Sequence, residues 1–324
     1  MDLEELSLTA IKSMLAPLES VPGELLEALS ADPRIQVQAL GEQVRRRLER
    51  ERQARAEQDK MLELERAYHA RGLFKVAGVD EVGRGPLAGP VVAAAVIFSP
   101  ETDYPKARDS KKLPPEKREE LYVEILQKAR AVGLGRAEHG EIDKLNIYNA
   151  SLLAMYRAVE NLGEKPDAAL VDGPMVLRME LPQEALIKGD SRCLSIAAAS
   201  IVAKVTRDRL MCEYDRLYPA YGFARHKGYP TADHFQALKT LGPCPIHRRS
   251  FSAVAACGSF GSLEWRKHYE ALSHAAALED LELRAVEIRP VRESFSPEEL
   301  NSLRALYRRK RAELELIVEH PQGG

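Results

Sequence analysis

Two adjacent carboxylates followed by a glycine-rich turn are the residues of this sequence most suited to chemistry. Asp80 and Glu81 end a β-like run, and Gly83, Arg84 and Gly85 follow almost at once. Two carboxylates at a buried strand end are costly unless a cation or a proton neutralises them. Glycines permit positive φ and let a ligand approach the backbone closely. The stretch indicates a ligand site, with a capped turn and an Arg84–Glu81 pair as the structural alternative.

Two further aspartates have the same setting as this acid pair. Asp172 ends a short apolar run, Asp190 follows another, and each lies beside a glycine. One such residue is usually a turn aspartate, whereas four carboxylates at three such places favour a cluster for a hard cation. Mg²⁺ and Mn²⁺ prefer oxygen ligands. The candidate metal-binding and catalytic residues are Asp80, Glu81, Asp172 and Asp190.

The elements that must position these residues alternate between β-like and helical patterns. β-like runs are expected over 74–79, 91–98, 132–136, 168–171 and 186–188, and helices over 115–131, 149–162 and 195–218. The first two runs flank a Gly/Pro-rich bend and predict a hairpin. The bend is no dinucleotide fingerprint, because its spacing is G-x-G-x-x-x-G and a strand follows it. The pattern predicts an α/β fold with a mixed sheet.

Changes of pattern divide the chain into a helical N-terminal extension (1–71), a central domain (72–253) and a C-terminal extension (254–324). The first part carries an arginine cluster among glutamates, from Arg45 to Arg55. We interpret the cluster as an exposed helix face with i,i+4 ion pairs. A helix that contacts phosphates is the alternative.

The C-terminal extension combines a strand-like piece with a strong helix signal. Apolar residues between Leu281 and Val291 predict a strand, and a capping box from Ser296 to Glu299 predicts a helix that ends near Val318. Its arginines, among them Arg304 and those of 308–311, leave three roles open. The helix packs back on the core, clamps a substrate, or docks a protein.

Composition is that of an ordinary cytosolic protein rather than of a membrane or secreted one. The chain has 324 residues, of which 45% are apolar and 30% charged. Its longest apolar stretch, 91–98, is far short of the roughly 20 residues of a membrane span, and the acidic N-terminus is unlike a secretory signal. The four cysteines form no C-x-x-C pair, so a disulfide scaffold is not expected. A metal site at Cys244 and His247, spaced C-x-x-H, is disfavoured for want of a second pair.

Net charge gives only modest support for a polyanionic partner. Lysine and arginine number 47 against 49 acidic residues, a net charge of −2. The central part is nevertheless the most positive, although it contains the candidate metal-binding acids.

A series of short motifs follows in order from about Val76 to Phe251. They occupy 80–85 (DEVGRG), 109–113 (DSKKL), 171–173 (VDG), 188–190 (KGD), 195–208 (SIAAASIVAKVTRD), 221–223 (YGF), 226–229 (HKGY) and 247–251 (HRRSF). In kind and in order they resemble the ribonuclease HII family. The resemblance covers over half of the chain.

This resemblance implies a ribonuclease H-like mixed sheet flanked by helices. It implies an endonuclease that hydrolyses the RNA strand of RNA–DNA hybrids and cuts 5′ of single ribonucleotides in duplex DNA, leaving 5′-phosphate and 3′-hydroxyl ends. Such an enzyme serves ribonucleotide excision repair, and we expect it to be a cytoplasmic monomer. The family's four acids correspond to Asp80, Glu81, Asp172 and Asp190, which would bind two Mn²⁺ or Mg²⁺ ions during catalysis.

Substrate contacts are also implied by the resemblance. The family's Gly-Arg-Gly loop, here Gly83, Arg84 and Gly85, reads the ribose 2′-hydroxyl, the group that distinguishes RNA from DNA. Tyr229 corresponds to the tyrosine that stacks on the deoxyribose beyond the ribonucleotide. Lys111 resembles the lysine near the scissile phosphate.

Four other polar residues of the central part carry less specific signals. Lys204 and Arg207, one helical turn apart, are candidate phosphate contacts or merely solvated. His226 and His247 are not assigned as general bases, because neither has an evident partner and metal-bound water requires none.

Two rival interpretations follow from the same residues. The related ribonuclease HIII family has lysine in place of Arg84 and a mixed α/β N-terminal extension, so the intact Gly-Arg-Gly and the helical 1–71 argue against it. A nucleic-acid-binding protein with structural acids would bind hybrids without cleavage and without metal dependence.

Overall fold

The computed structural model describes residues 3, 6–15, 21–105, 114–257 and 262–319. The chain divides into two compact units, Met1–Ala67 and Tyr68–Gly324. The first unit is helical, as expected, and consists of α1 (Leu8–Leu15), α2 (Gly23–Ala31), α3 (Ile35–Met61) and most of α4 (Glu63–His69). Its own apolar core includes Ile11, Leu29, Val37 and Val44.

The arginine cluster lies on α3. Arg46 pairs with Glu42 at 2.9 Å and Arg47 with Glu51 at 3.9 Å, both at i,i+4 spacing and largely exposed. Such pairs contribute little to stability. They are what a solvated helix face looks like, which supports the first interpretation of the cluster.

The second unit is built on a five-stranded sheet in the order β3-β2-β1-β4-β5. Its strands are β1 (Val76–Val82), β2 (Val91–Ile97), β3 (Ala131–Ala137), β4 (Ala168–Asp172) and β5 (Gln183–Leu186). The predicted hairpin is confirmed, since β1 and β2 are antiparallel, and β2 and β3 are antiparallel as well. β4 runs parallel to both β1 and β5. The sheet is therefore mixed, as the sequence predicted.

Helices pack on both faces of the sheet. The remaining helices of the central part are α5 (Pro115–Lys128), α6 (His139–Leu145), α7 (Ile147–Glu160), α8 (Leu194–Leu217), α9 (Phe223–His226), α10 (Ala232–Leu241) and α11 (Ser252–Ala255). α7 covers one face, where Gly133 and Gly135 of β3 leave no room for a side chain beneath its backbone. α8 covers the other face, where a Cβ at Gly78 would collide with the backbone of Ser195. These glycines let the two layers close on the sheet.

The C-terminal extension is helical throughout its described part, in α12 (Leu263–Ser273), α13 (Leu278–Ile288) and α14 (Pro297–Glu319). The predicted strand between Leu281 and Val291 is wrong: the segment forms α13 and a 3-10 turn. Only Leu281 of α13 is buried, whereas Leu283 and Val286 are exposed. The apolar residues thus follow a one-sided helical pattern rather than the two-sided pattern of a central strand.

The three helices share a core with the second half of α8. Trp265, Leu272, Leu281 and Leu306 pack in one cluster with Tyr214 of α8. The predicted capping box is present, because the Ser296 amide donates to Glu299 and the Glu299 amide to Ser296 Oγ. The extension is therefore part of the core of the second unit.

Within the part of the chain that the structure describes, no helix has the length and apolar character that crossing a membrane would require.

Candidate active site

The segments that carry the acidic residues lie where three parallel strands end. The β1–β4 register pairs Val79 with Val171, which places Asp80 beside Asp172 one residue further on. Asp190 lies in the 3-10 turn Gly189–Ser191 that follows β5. Because β1, β4 and β5 run in the same direction, their carboxyl ends share one edge of the sheet. The fold thus brings all three acidic segments to one edge.

Asp80 is the more buried member of the acid pair, with 5% of its surface exposed. Its side chain accepts hydrogen bonds from the Glu81 amide and from Ser200 of α8. Burial, followed by the charges of Glu81 and Asp172, raises the pKa of Asp80 well above its usual range. Without a cation, this carboxyl group therefore tends to hold a proton.

Glu81 shows the same effect in milder form. Burial raises its pKa to about 7, while the Arg84 charge opposes the rise and the Asp172 charge adds to it. The Arg84 guanidinium nitrogen lies 3.5 Å from Glu81 Oε1, so this ion pair is a loose one. Oxygen Oε2 of Glu81 is buried and has no hydrogen-bond partner. An orphaned carboxylate oxygen of this kind is suited to binding a cation.

Asp172 is tied to the third segment of the site, since the Gly189 amide donates to its Oδ1 at 2.6 Å. Among the described residues, no group of three or more His, Cys, Asp or Glu side chains is placed to hold a metal ion. The four acids nevertheless offer only carboxylate oxygens as donors. Such a donor set fits Mg²⁺ or Mn²⁺, which keep waters and bind substrate phosphates beside one or two carboxylates.

The glycine loop, residues 83–85, leaves the end of β1 next to the acids. Gly83 has a φ of +96°, and a Cβ there would collide with the Arg207 side chain. Arg84 and Gly85 are exposed. A Cβ at Gly85 would lie 3.8 Å from ring carbon Cε1 of Tyr229. The structure thus places the loop and Tyr229, which were predicted to read neighbouring sugars, side by side.

Arg207 requires a correction, because it cannot contact phosphates as predicted. Its side chain is fully buried and donates to the carbonyl oxygens of Ala88, Pro90 and Lys227 at 3.0–3.2 Å. Its guanidinium carbon lies 5.9 Å from the centre of the Tyr229 ring. Arg207 therefore supports the loops of the site from within the protein.

The structure describes only one of the other two residues predicted to contact phosphate, Lys204 and Lys111. Lys204 is partly buried and pairs with Asp208 at 2.6 Å, so a role in binding phosphate stays a prediction. Lys111 lies outside the described residues.

Arg248 is a residue of the site that sequence reasoning missed. It is fully buried, and its three guanidinium nitrogens donate to the carbonyl oxygens of Gly83, Arg84 and Gly89. Its position in the 247–251 motif was the only signal in the sequence. Nothing in that signal separates a buried arginine from its exposed neighbour Arg249.

The histidines do have partners, contrary to the expectation for His226 and His247. His226 Nδ1 accepts from the Gly228 amide, so its Nε2 donates to the Tyr221 carbonyl oxygen at 2.7 Å. His247 Nε2 lies 2.9 Å from His234 Nε2, and its Nδ1 lies 3.0 Å from Cys244 Sγ.

Burial favours the neutral form of the His234 and His247 rings. Burial lowers the pKa of His234 to about 4 and that of His247 well below its usual value. Cys244 and His247 form a hydrogen bond with each other. Burial raises the pKa of the Cys244 thiol, and this disfavours the thiolate form that a metal would bind. His234 in turn bonds the carbonyl oxygen of Tyr229, so the cluster braces that loop.

Comparison with known proteins gives consistent matches. The family model described as ribonuclease HII matches residues 77–254, and that of the ribonuclease HII N-terminal domain matches residues 7–69. Ribonuclease HII of Myxococcus xanthus is 52% identical over 235 residues, covering 72% of this chain and 80% of the relative. That of Bacillus licheniformis is 47% identical, covering 78% of this chain and 99% of the relative. The crystal structure of the ribonuclease H2 from Pyrococcus horikoshii matches with a TM-score of 0.49 and 29% identity, over 56% of this chain and 95% of that one.

Proposed function

Because the chain belongs to the ribonuclease HII family, a family of hydrolases that act on RNA–DNA hybrids, we propose that it also cuts 5′ of single ribonucleotides embedded in duplex DNA. Cleavage leaves a 5′-phosphate and a 3′-hydroxyl. The observation that carries the proposal is the adjacency of two features. Carboxylates with raised pKa values lie at the end of β1, and the exposed glycine loop follows them directly.

Asp80, Glu81, Asp172 and Asp190 are the residues that would hold two divalent ions, Mn²⁺ or Mg²⁺. When bound, such ions activate the attacking water and stabilise the departing 3′ oxygen. The protein contributes the placement of the carboxylates at one sheet edge. It also excludes water from Asp80, and the orphaned Oε2 of Glu81 supports this assignment.

The glycine loop and Tyr229 would recognise the junction between RNA and DNA. Arg84 and Gly85 are exposed and bring backbone amides to the surface beside the acids. Tyr229, 38% exposed, lies next to Gly85 and has the buried Arg207 guanidinium beneath it. When the ribose of a ribonucleotide binds at the loop, the deoxyribose of the neighbouring nucleotide would lie over the Tyr229 ring. We further propose that the enzyme acts as a cytoplasmic monomer in ribonucleotide excision repair.

Cleavage of defined duplexes tests this function. A DNA duplex with one ribonucleotide, a continuous RNA–DNA hybrid and an all-DNA duplex are incubated with Mn²⁺, Mg²⁺ or EDTA. We expect one cut on the 5′ side of the ribonucleotide, cleavage of the hybrid, no cleavage of DNA, and no product in EDTA. Asp80→Asn should lose more than about a hundredfold in rate, beyond the 10–100-fold typical for loss of a residue that only orients a metal ligand.

Each other result has a defined meaning. Cleavage of the hybrid alone would remove the proposed role of the glycine loop and Tyr229 at junctions. Full activity of Asp80→Asn would reject the assignment of the acids. Binding without any cleavage would favour a nucleic-acid-binding protein with structural carboxylates.

A further inference from the structure

One buried arginine holds the glycine loop from inside the protein. Arg248 Nη2 donates to the Gly83 carbonyl oxygen at 2.5 Å, Nη1 to that of Arg84 at 2.8 Å, and Nε to that of Gly89 at 3.0 Å. Its side chain is fully buried. In the described part of the chain, no carboxylate lies within ion-pair distance of it. A buried charge without an ion pair is costly, so the carbonyl oxygens of the loop are its principal compensation.

The planarity of the peptide bond converts these contacts into an orientation. In a trans peptide, the carbonyl of one residue and the N–H of the next point in opposite directions. The Gly83 and Arg84 carbonyls point inward to Arg248, so the N–H groups of Arg84 and Gly85 point outward. Both residues are exposed. No described residue accepts a hydrogen bond from either amide, which leaves two free donors side by side at the surface.

We propose that Arg248 is a positioning residue that sets the preference for a ribonucleotide, by turning the amides of Arg84 and Gly85 toward the 2′-oxygen of the substrate. This inference rests on the proposed function, in which the glycine loop reads the 2′-hydroxyl. Arg248 itself touches no substrate. It acts through the direction of two peptide planes.

Neighbouring backbone hydrogen bonds hold Arg248 in the position that orients the glycine loop. Its own amide donates to the Leu87 carbonyl oxygen, and the Gly89 amide donates to that of Ile246. Burial lowers the pKa of Arg248 to about 9, so the group remains charged at neutral pH. Three nitrogens in a rigid plane bind three carbonyls at once, which the single nitrogen of a lysine cannot do.

A binding comparison tests the proposal. Affinities are measured by fluorescence anisotropy for a DNA duplex with one ribonucleotide and for the same duplex without it. Ca²⁺ replaces Mn²⁺, and a gel verifies that the duplex stays intact. We expect Arg248→Lys to reduce the preference for the ribonucleotide about tenfold, the effect of misaligning two neutral hydrogen bonds. Affinity for all-DNA should stay within about twofold, as should both affinities of the control variant, Arg249→Lys.

The variant Gly85→Pro distinguishes the role of Arg248 from the proposed reading of the 2′-hydroxyl by the glycine loop. The variant removes one outward N–H and leaves Arg248 in place, so it should also lose preference. If wild-type protein shows no preference, the proposed reading of the 2′-hydroxyl fails. If Gly85→Pro loses preference and Arg248→Lys keeps it, the reading stands and the role of Arg248 is refuted. A parallel fall of both affinities in Arg248→Lys, with a lower Tm, would reduce Arg248 to a structural role.

Hydrogen exchange tests the orientation in the unmodified protein, whether or not the variants fold. The Arg84 and Gly85 amides should exchange rapidly in the free protein and become protected on binding the ribonucleotide duplex. The Leu87 and Gly89 amides, which donate to the carbonyls of Gly228 and Ile246, should be protected in both states. Slow exchange of Arg84 and Gly85 in the free protein would overturn the proposal.

Discussion

At the scale of single residues, burial of the acid pair lowers the stability of the metal-free protein. The pKa of Glu81 lies near 7 rather than at 4.5, and that of Asp80 is also raised, because both groups are buried close to other carboxylates. These two groups therefore hold more protons in the metal-free folded protein than in the unfolded chain once the pH exceeds their ordinary pKa values. Their contribution to stability falls as the pH rises through 7, and the loss persists at higher pH. A bound divalent cation would relieve the same repulsion.

Asp80→Asn should therefore stabilise the metal-free protein while it abolishes cleavage. In EDTA at pH 8 we expect its free energy of unfolding to exceed that of wild type, because the variant has no carboxylate to ionise in this buried place beside Glu81 and Asp172. Near pH 3, below the ordinary aspartate pKa of 3.8, the difference should vanish. Urea denaturation at the two pH values measures this. Asp233→Asn, with a side chain 68% exposed, is the control and should change little. A variant less stable than wild type at pH 8 would contradict the interpretation.

Some residues of the site could be predicted from the sequence and others could not. The placement of Asp80, Glu81 and Asp172 near one another could be predicted, because a carboxylate at the end of an apolar run beside glycine is a local signal. Arg207 was placed wrongly and Arg248 was missed, because whether an arginine faces solvent or carbonyl oxygens depends on loops distant in sequence. Arg207 donates across as many as 119 positions and Arg248 across as many as 165.

Helix α8 joins the site to the C-terminal extension at the scale of the elements. Its first half packs small residues on β1, with Ser200 bonded to Asp80, and its second half shares a core with Trp265. The Trp265 ring nitrogen donates to the Glu299 carbonyl oxygen and to Ser302 Oγ, both at 3.0 Å. Of the three roles that the sequence left open for this extension, packing on the core is the one that these contacts support.

Trp265→Ala should destabilise the second unit by about 3–5 kcal/mol, the typical cost of removing a buried tryptophan. Trp265→Phe keeps most of the volume and should cost less, mainly through the loss of two hydrogen bonds. Leu283→Ala, at a side chain 62% exposed, is the control and should cost less than about 0.5 kcal/mol. Urea denaturation measures all three. Unchanged stability of Trp265→Ala together with weaker duplex binding would instead favour a clamp.

The strand predicted between Leu281 and Val291 shows a limit of reading elements from sequence. Short apolar runs occur in strands and in one-sided helices alike. The helix is identified by which residues are buried, and burial at Leu281 depends on partners in α8 and α12 that local sequence does not reveal. Longer segments with clear patterns, such as 91–97 and 194–217, were predicted within one residue at each end.

The whole molecule consists of two units with separate apolar cores. The carboxylates proposed to be catalytic, the glycine loop and Tyr229 all belong to the second unit. The first unit carries more acidic than basic residues, and part of its arginine cluster is paired with glutamates of its own helix. Nothing in the described part of that unit is required to form the acid cluster, and its net charge does not favour a polyanion.

A chain that begins at Leu62 should therefore fold and cleave without residues 1–61. This starting point keeps α4 whole, and we expect a Tm within about 2 °C of the second unit's transition in the full chain, because the core of that unit is intact. The rate of the metal-dependent cut should be unchanged.

Duplex affinity measured from 50 to 200 mM salt distinguishes the two interpretations of the arginine cluster. If the helix is merely solvated, the slope of log K against log salt stays the same. If Arg50, Arg52 and Arg55 bind phosphates, the slope should flatten by about one for each arginine–phosphate pair that the deletion removes, and the first unit would be part of the substrate-binding surface.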